Sequence, residues 1–353
     1  MLLVMIASIG FLALYSAAEG NFDPWSKKQI IRFLISLALL FFISLVDIRL
    51  WYKYSYHIFF LSLLLLIGVE IFGTFGLGAK RWIRILGFSI QPSELIKVAI
   101  ILSLAKYYNE LRYDRIGWIR NTITPTFIVI IPFFFVIIQP DLGTAVMILI
   151  LGALIMFIAG VKIWKFITIF ILSGISFPLI WNLILESYQK KRILSFLNPE
   201  SDPLGQGYQL IQSKIALGSG GYYGKGFLKG SQSYLEYLPE KQTDFIFTLI
   251  GEEFGFIGTV FIIILFFLLI SICFYISIKS YHIFGRLLAL GVASNIFIYV
   301  IMNVAMVSGL MPVVGIPLPL ISYGGSVMLS IMISLGLVLN VELNYNLKKI
   351  NNA

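Results

Sequence analysis

Residues 127–160 read FIVIIPFFFVIIQPDLGTAVMILILGALIMFIAG. Two apolar runs, 123–138 and 142–160, are parted only by Gln139-Pro140-Asp141. A helix needs ~20 mostly apolar residues to cross a ~30 Å hydrocarbon core, and each run is close to that length. Three polar residues leave room for a tight hairpin at the membrane surface. The stretch predicts a pair of spanning helices.

The same pattern recurs on both sides of it. Further apolar runs near 2–18, 29–47, 54–73, 91–107, 163–185, 245–277, 284–308 and 317–341 bring the total to about ten. The fold class expected is an all-α polytopic integral membrane protein, one membrane domain over residues 1–353. The run 245–277 exceeds one crossing, so it either tilts or begins as an interfacial turn. Composition agrees: 59% of the residues are hydrophobic and 12% charged, against ~45–50% and ~25% in soluble domains. With a mean hydropathy of +0.94, a water-soluble globule is excluded. The first run resembles a signal-peptide core ending in Ser16-Ala17-Ala18, yet no Lys or Arg precedes it; it reads as an uncleaved first span.

The net charge of +9 does not point to nucleic acid, because the basic residues sit in short clusters between apolar runs, as membrane anchors do. An even number of spans puts both termini on one side. With the termini inside, the inner loops hold twelve cations: Arg49, Lys53, Lys106, Arg112, Arg115, Arg120, Lys162, Lys165, Lys279, Arg286, Lys348 and Lys349. The short outer loops hold six: Lys27, Lys28, Arg32, Lys80, Arg81 and Arg84. The positive-inside rule therefore places both termini in the cytoplasm. Cys273 is the sole cysteine, and His57 and His282 are the only histidines, which excludes a disulfide framework and a His-rich metal site.

One outer loop, about 186–243, is long enough to be functional. It is aromatic, with Tyr188, Phe196, Tyr208, Tyr222, Tyr223, Phe227, Tyr234 and Tyr237. Leu210, Ile211 and Ile215 predict a short amphipathic helix over 206–217. The glycine-rich stretch 218–230 contains Gly224-Lys225 but lacks the Gly at 219 and the Ser or Thr at 226 that a phosphate loop requires. No zinc spacing, nucleophile elbow or internal repeat is present.

Ionisable groups near membrane depth cost at least ~2.5 kcal/mol each and read as functional by default. The first cluster is Lys80-Arg81-Trp82-Ile83-Arg84 followed by Gln91-Pro92-Ser93-Glu94-Leu95-Ile96-Lys97. Glu94 and Lys97, three apart, share a helical face. They form either a polar pair lining a cavity, with Arg81 and Arg84 ready for phosphate, or an N-terminal cap with an interfacial ion pair. Asp141 is either an N-cap or part of a site. In the third cluster, Asp244 likewise is a cap or a base. Glu252 and Glu253 lie about two turns deeper, where capping does not account for them, and a carboxylate at the mouth of an apolar helix can act as a general base toward a hydroxyl. Finally, Pro317-Leu318-Pro319-Leu320-Ile321-Ser322-Tyr323-Gly324-Gly325-Ser326 reads as a broken, re-entrant helix entry.

Four local signatures in order carry a resemblance that covers essentially the whole chain. They are Lys80-Arg81-Trp82 with Gln91-Pro92-Ser93-Glu94-x-x-Lys97, then Gln139-Pro140-Asp141-Leu142-Gly143-Thr144. Next comes Gly218-Ser219-Gly220-Gly221 running to Leu238-Pro239-Glu240-x-x-Thr243-Asp244-Phe245-Ile246-Phe247, and last Pro319-Leu320-x-Ser322-Tyr323-Gly324-Gly325-Ser326. Together they resemble the SEDS family of shape, elongation, division and sporulation proteins. Residues 206–216 and 225–232 are most similar to the elongation branch, RodA, rather than to the division branch, FtsW. The chain starts almost inside its first span, without the lead-in usual in relatives.

The resemblance implies a peptidoglycan glycosyltransferase of the bacterial inner membrane, acting in cell elongation and polymerising lipid II by inverting transfer. It implies Asp244 as catalytic base. Arg81, Lys97 and Lys214 are candidates for the pyrophosphate leaving group, with Glu94 holding Lys97, Asp141 shaping the cavity and Ser322 in the substrate site. No cofactor is required; a divalent cation, Mg or Mn, is left open as a bridge to pyrophosphate. The implied partners are lipid II, a class B penicillin-binding protein transpeptidase, the elongation machinery and membrane lipids, with no nucleic acid. Two other readings stand beside this one: a lipid II flippase, and a non-catalytic scaffold for a cell-wall synthase. The polar clusters gather on the outer half, which favours chemistry at the surface over translocation.

Overall fold

A computed structural model describes residues 1–76, 79–85, 88–183, 187–202, 205–231 and 240–344. Twelve α-helices are described. They are α1 Leu2–Ala17, α2 Ser26–Leu45, α3 Ile48–Phe72, α4 Pro92–Glu110, α5 Arg120–Ile138, α6 Leu142–Ile158, α7 Ile163–Leu183, α8 Ser187–Leu197, α9 Gln206–Ser219, α10 Ile246–Lys279, α11 Ile283–Val307 and α12 Gly325–Leu343. Each expected apolar run contains a helix. Six helices (α2, α3, α5, α10, α11 and α12) are long and apolar enough to cross a membrane by length and composition; α1, α6 and α7 are shorter apolar helices. The remaining run is α4, which carries Glu94, Lys97, Lys106 and Glu110.

Two features go beyond the sequence expectation, and a third agrees with it. A small antiparallel sheet, β1 Thr74–Gly76, β2 Ala79–Ile85 and β3 Phe88–Ile90 in that order, interrupts the helical pattern, with Thr74 opposite Trp82 and Ile83 opposite Ile90. The long loop holds α8 as well as the anticipated α9. The last apolar run is helical only from Gly325, and 317–324 is irregular, as the re-entrant entry requires.

The chain forms two compact units. One comprises Arg32–Phe166, Ile270–Ile298 and Gly325–Ala353. Its centre is α4, packed against α3, α5, α6 and α12. Ile96, Val98 to Ala105 and Tyr108 are all buried, so this helix is covered all round, which explains why its sequence has no polar face. Small residues permit close packing: a Cβ on Gly336 would lie 2.8 Å from the Leu40 carbonyl oxygen, and one on Gly291 2.7 Å from Ile101. Asn340, buried on α12, donates its amide to the carbonyls of Ile43 (3.1 Å), Ser44 (3.0 Å) and Val46. Ile43 and Ser44 stand in the last turn of α2 and Val46 just beyond it, where the helical ladder runs out.

The other unit comprises Met1–Ile31, Ile167–Leu269 and Tyr299–Gly324. Its organising feature is a break in α10 at Gly255, where φ is 65° and ψ −161°. The break divides this run in two. Residues 246–254 form a separate first segment, and 256–279 is by itself long enough to cross at ~1.5 Å rise per residue. Breaking a helix frees backbone groups that hydrocarbon cannot satisfy. The glycine-rich loop takes them up: the Phe256 and Ile257 amides donate to the Gly221 and Tyr222 carbonyls (2.9 and 3.2 Å), and the Lys225 and Gly226 amides donate to the Glu252 and Glu253 carbonyls (both 3.0 Å). A Cβ on Gly255 would sit 2.6 Å from the Tyr222 oxygen, and its left-handed backbone disfavours any side chain. Gly255→Ala is therefore expected to lower the thermal unfolding midpoint in detergent, by an amount equivalent to about 1–3 kcal/mol of backbone strain. An unchanged midpoint by scanning fluorimetry would refute it.

Candidate functional site

Asp244 stands in a turn, residues 240–245, that ends where α10 begins. The turn is built locally. Glu240 has left-handed φ (60°), the Thr243 amide returns to the Glu240 carbonyl at 3.0 Å, and the Thr243 hydroxyl and Gln242 amide donate to the Glu240 carboxylate at 3.0 and 3.2 Å. The irregular segment 317–324 then fixes its far side. The Ser322 hydroxyl donates to the Thr243 carbonyl at 2.6 Å while accepting the Leu318 amide at 2.7 Å, and the Tyr323 amide donates to the Gln242 carbonyl at 2.9 Å. Gln29 braces that segment through the Ser322 carbonyl (2.9 Å) and the Gly324 amide (3.4 Å).

Phe245 and Ile246 are buried, whereas Asp244 is half-buried. Its carboxylate lies alongside Gly315, where a Cβ would come within 3.3 Å of Oδ2. A hydroxyl arriving from outside can reach such a carboxylate. Lys214 is exposed on α9 and packs along Gly309, where a Cβ would overlap its side chain. α9 itself is bonded down by Ser213, whose hydroxyl lies 2.8 Å from the Thr248 hydroxyl and donates to the Val307 carbonyl at 2.8 Å. Asp244, Ser322 and Lys214 thus belong to one unit.

Arg81, Glu94, Lys97 and Asp141 belong to the other unit. Pro92 and Glu94 occupy the first turn of α4, where a fixed φ and a negative charge both suit a helix N-terminus. Lys97 Nζ lies 2.8 Å from Glu94 Oε1, and the two side chains are 1% and 4% exposed. The Ser330 hydroxyl of α12 donates to Glu94 Oε2 at 3.2 Å. Asp141 caps α6 through the Thr144 amide (3.3 Å) and hydroxyl (2.9 Å) and also accepts from Gln91 at 3.2 Å. Arg81, half-buried on β2, donates to the carbonyls of Gln139 (3.2 Å) and Pro140. These bonds gather the first two sequence clusters around the Gln139-Pro140-Asp141 hairpin.

Glu252 and Glu253, flagged in the sequence as a possible base, are fully buried. Glu252 accepts from Lys225 Nζ at 2.7 Å and from the Ser231 hydroxyl at 3.2 Å, and Glu253 accepts from the Ser16 hydroxyl of α1. They clamp the glycine-rich loop to the break in α10 and present no open carboxylate to a substrate. Because Lys225 is 27% exposed and Glu252 is 0% exposed, removing the cation strands the buried partner. Lys225→Met is therefore expected to cost about 3–5 kcal/mol, and more than Glu252→Gln, whose stranded lysine still reaches water. Denaturant unfolding of the two variants, ranked the other way, would refute this account.

Sequence reasoning did not single out Asn303, which is fully buried on α11 and donates to the Asp244 carbonyl at 2.9 Å; its only signal is a lone amide in an apolar run. Nor did it single out Gln29. The side chains of Lys80 and Arg84, and residues Tyr234, Tyr237, Leu238, Pro239, Lys348 and Lys349, lie outside the described part. Among the described residues no group of three or more His, Cys, Asp or Glu is arranged to hold a metal ion.

The profile of a family described as "Cell cycle protein", comprising FtsW, RodA and SpoVE, matches residues 1–347. Peptidoglycan glycosyltransferase MrdB of Escherichia coli strain K12 is 37% identical over 344 residues, covering 97% of this chain and 92% of that relative. Stage V sporulation protein E of Bacillus subtilis strain 168 is 37% identical over 350 residues, 96% and 94% of the two chains. A solved peptidoglycan synthase complex, described as coordinating polymerization and crosslinking, contains a chain that matches with a TM-score of 0.85 at 29% identity, over 98% of this chain and 96% of that one. The crystal structure of the rod shape determining protein RodA from Thermus thermophilus matches with a TM-score of 0.74 at 26% identity, over the same shares.

Proposed function

Since the chain belongs to the FtsW, RodA and SpoVE family and is a multi-pass membrane peptidoglycan glycosyltransferase, we propose that it polymerises lipid II at the outer face of the bacterial inner membrane, with Asp244 as general base. The observation that carries this reading is the Asp244 turn: a half-buried aspartate on a segment whose carbonyls are bonded to Ser322, Tyr323 and Asn303. The 4-hydroxyl of one GlcNAc attacks the anomeric carbon of a MurNAc. Its proton passes to the Asp244 carboxylate as the new C–O bond forms. The bond to undecaprenyl pyrophosphate breaks with the electron pair on the leaving group, and the anomeric configuration inverts.

The leaving group gains charge, and cations aimed at it lower the barrier. In the unit that holds Asp244, Lys214 is exposed on α9 and takes that role; Arg81 and Lys97 are further candidates, and Asp141 and Glu94 hold their surroundings in place. A divalent cation bridging to the pyrophosphate stays a proposal without an assigned ligand set. Both termini are assigned to the cytoplasm on the loop charges. The subtype is elongation, supported by the relative MrdB and the RodA structure. A class B penicillin-binding protein is the partner, a reading supported by the match to a peptidoglycan synthase complex; the long outer loop and the outward apolar faces of α10, such as Phe261, Ile264 and Phe267, suit a partner helix.

The deciding experiment supplies purified protein with lipid II in detergent, where no bilayer exists to flip across. Glycan strands on a gel are the expected product. Absence of polymer with the partner present, alongside lipid II flipping in liposomes, would replace the transferase by a flippase.

A further inference from the structure

Asn303 is 0% exposed within α11, in the run Ile301-Met302-Asn303-Val304-Ala305. An amide there is costly unless it is bonded. Its Nδ2 donates to two carbonyls, those of Asp244 (2.9 Å) and Ile316 (2.7 Å). Both partners are acceptors, so only the amide nitrogen can face them, and the side-chain orientation follows from chemistry. The two carbonyls belong to different pieces of the site. One is the backbone of the base itself. The other directly follows Gly315, the residue that lies against the Asp244 carboxylate.

The loop between those points has a left-handed glycine at each end, Gly309 (φ 76°) and Gly315 (φ 72°). Lys214 packs on the first and Asp244 on the second. A side chain at 315 would be strained and would press on Oδ2 at 3.3 Å. The loop is therefore a wall whose position sets where the carboxylate points, and Asn303 joins that wall to the backbone carrying the carboxylate.

We propose that Asn303 is a positioning residue for glycosyl transfer, its single amide holding Asp244 and the Gly315 wall in one geometry. The proposal rests on the reading of Asp244 as the base. The buried amide touches no substrate; it acts through the residue it holds. Displacing a catalytic group by about 1 Å costs on the order of 10²-fold in rate, while binding of the lipid-linked substrate, made elsewhere, is left intact. Loss should thus fall on kcat and spare KM.

The test uses the full chain in detergent with lipid II, measuring initial rates over a range of substrate concentrations and the folded fraction by thermal unfolding. Asn303→Asp keeps the shape and removes both N–H donors. Asn303→Ser keeps one donor at shorter reach and serves if Asn303→Asp does not fold. Per folded enzyme, kcat is expected to fall about 10–100-fold for Asn303→Asp and less for Asn303→Ser, with KM within twofold of wild type. Gly315→Ala, which leaves the amide untouched, should show the same split. Asp244→Asn is assayed in parallel. If it is inactive while the Asn303 variants keep wild-type kcat, or lose activity through KM alone, the positioning role is overturned and the base survives. If Asp244→Asn polymerises normally, the base reading itself fails.

Discussion

Asp244→Asn is expected to give a folded, purifiable protein that forms no glycan strand detectable on a gel. The argument for folding is geometric. Three bonds that brace the turn from outside it run to backbone carbonyls at 242, 243 and 244, from Tyr323, Ser322 and Asn303. None of them uses the carboxylate. Asn has the size of Asp and the same tolerance for turn positions, so the cradle survives the change. The argument for inactivity is chemical: a neutral amide cannot take the proton released as the 4-hydroxyl attacks. General base catalysis contributes ~10²–10⁴-fold, enough to move polymer below detection. Unfolding midpoint and gel are read on the same preparation. A folded variant polymerising within tenfold of the wild-type rate would remove Asp244 from the mechanism.

How much of this was legible in the chain differs from element to element, and the reason is the range of the interaction involved. The helices α5 and α6 are written locally: two apolar runs and a Gln139-Pro140-Asp141 break specify the hairpin, and the helices end and restart on either side of it. The break in α10 is a different matter. Gly255 in a run of apolar residues is ordinary in a membrane helix, and nothing near it announces a left-handed backbone. What makes the break tolerable lies upstream in the glycine-rich loop, whose carbonyls and amides satisfy the groups that the break frees. Glu252 and Glu253 follow the same logic. Their position too deep for a cap was readable; their partners Lys225, Ser231 and Ser16 were not.

The small sheet was hidden by its own charges. Arg81 and its neighbours read first as a cationic cluster, and the alternation that would mark a strand is short and flanked by glycines. For the site, residue identities were legible and their grouping was not. Asp244 and Ser322 lie far apart in sequence yet meet through the Thr243 carbonyl. Glu94 and Lys97 share a face by spacing, but their burial comes from α4 being surrounded on all sides.

That burial yields the second large effect. Glu94 and Lys97 are paired at 2.8 Å and all but excluded from solvent. Removing either partner strands a buried charge, so Glu94→Leu and Lys97→Met are each expected to lose about 3–5 kcal/mol of stability. Replacing both is different, because the low-dielectric interior no longer holds a charge. The double variant Glu94→Leu, Lys97→Met should regain most of the stability, and buried pairs replaced by apolar residues of similar volume are often neutral or better. Ser330 has a fallback for its hydroxyl in the Val327 carbonyl at 3.1 Å. Activity then separates the two meanings of the pair. A cap or a packing device is dispensable once stability returns, and the double variant would polymerise lipid II as wild type does. A pair whose charges organise the cavity for the substrate is not replaceable by Leu and Met, and the double variant would be folded and inactive. The second result is expected. Wild-type polymer yield from the stable double variant would reduce Glu94 and Lys97 to structure.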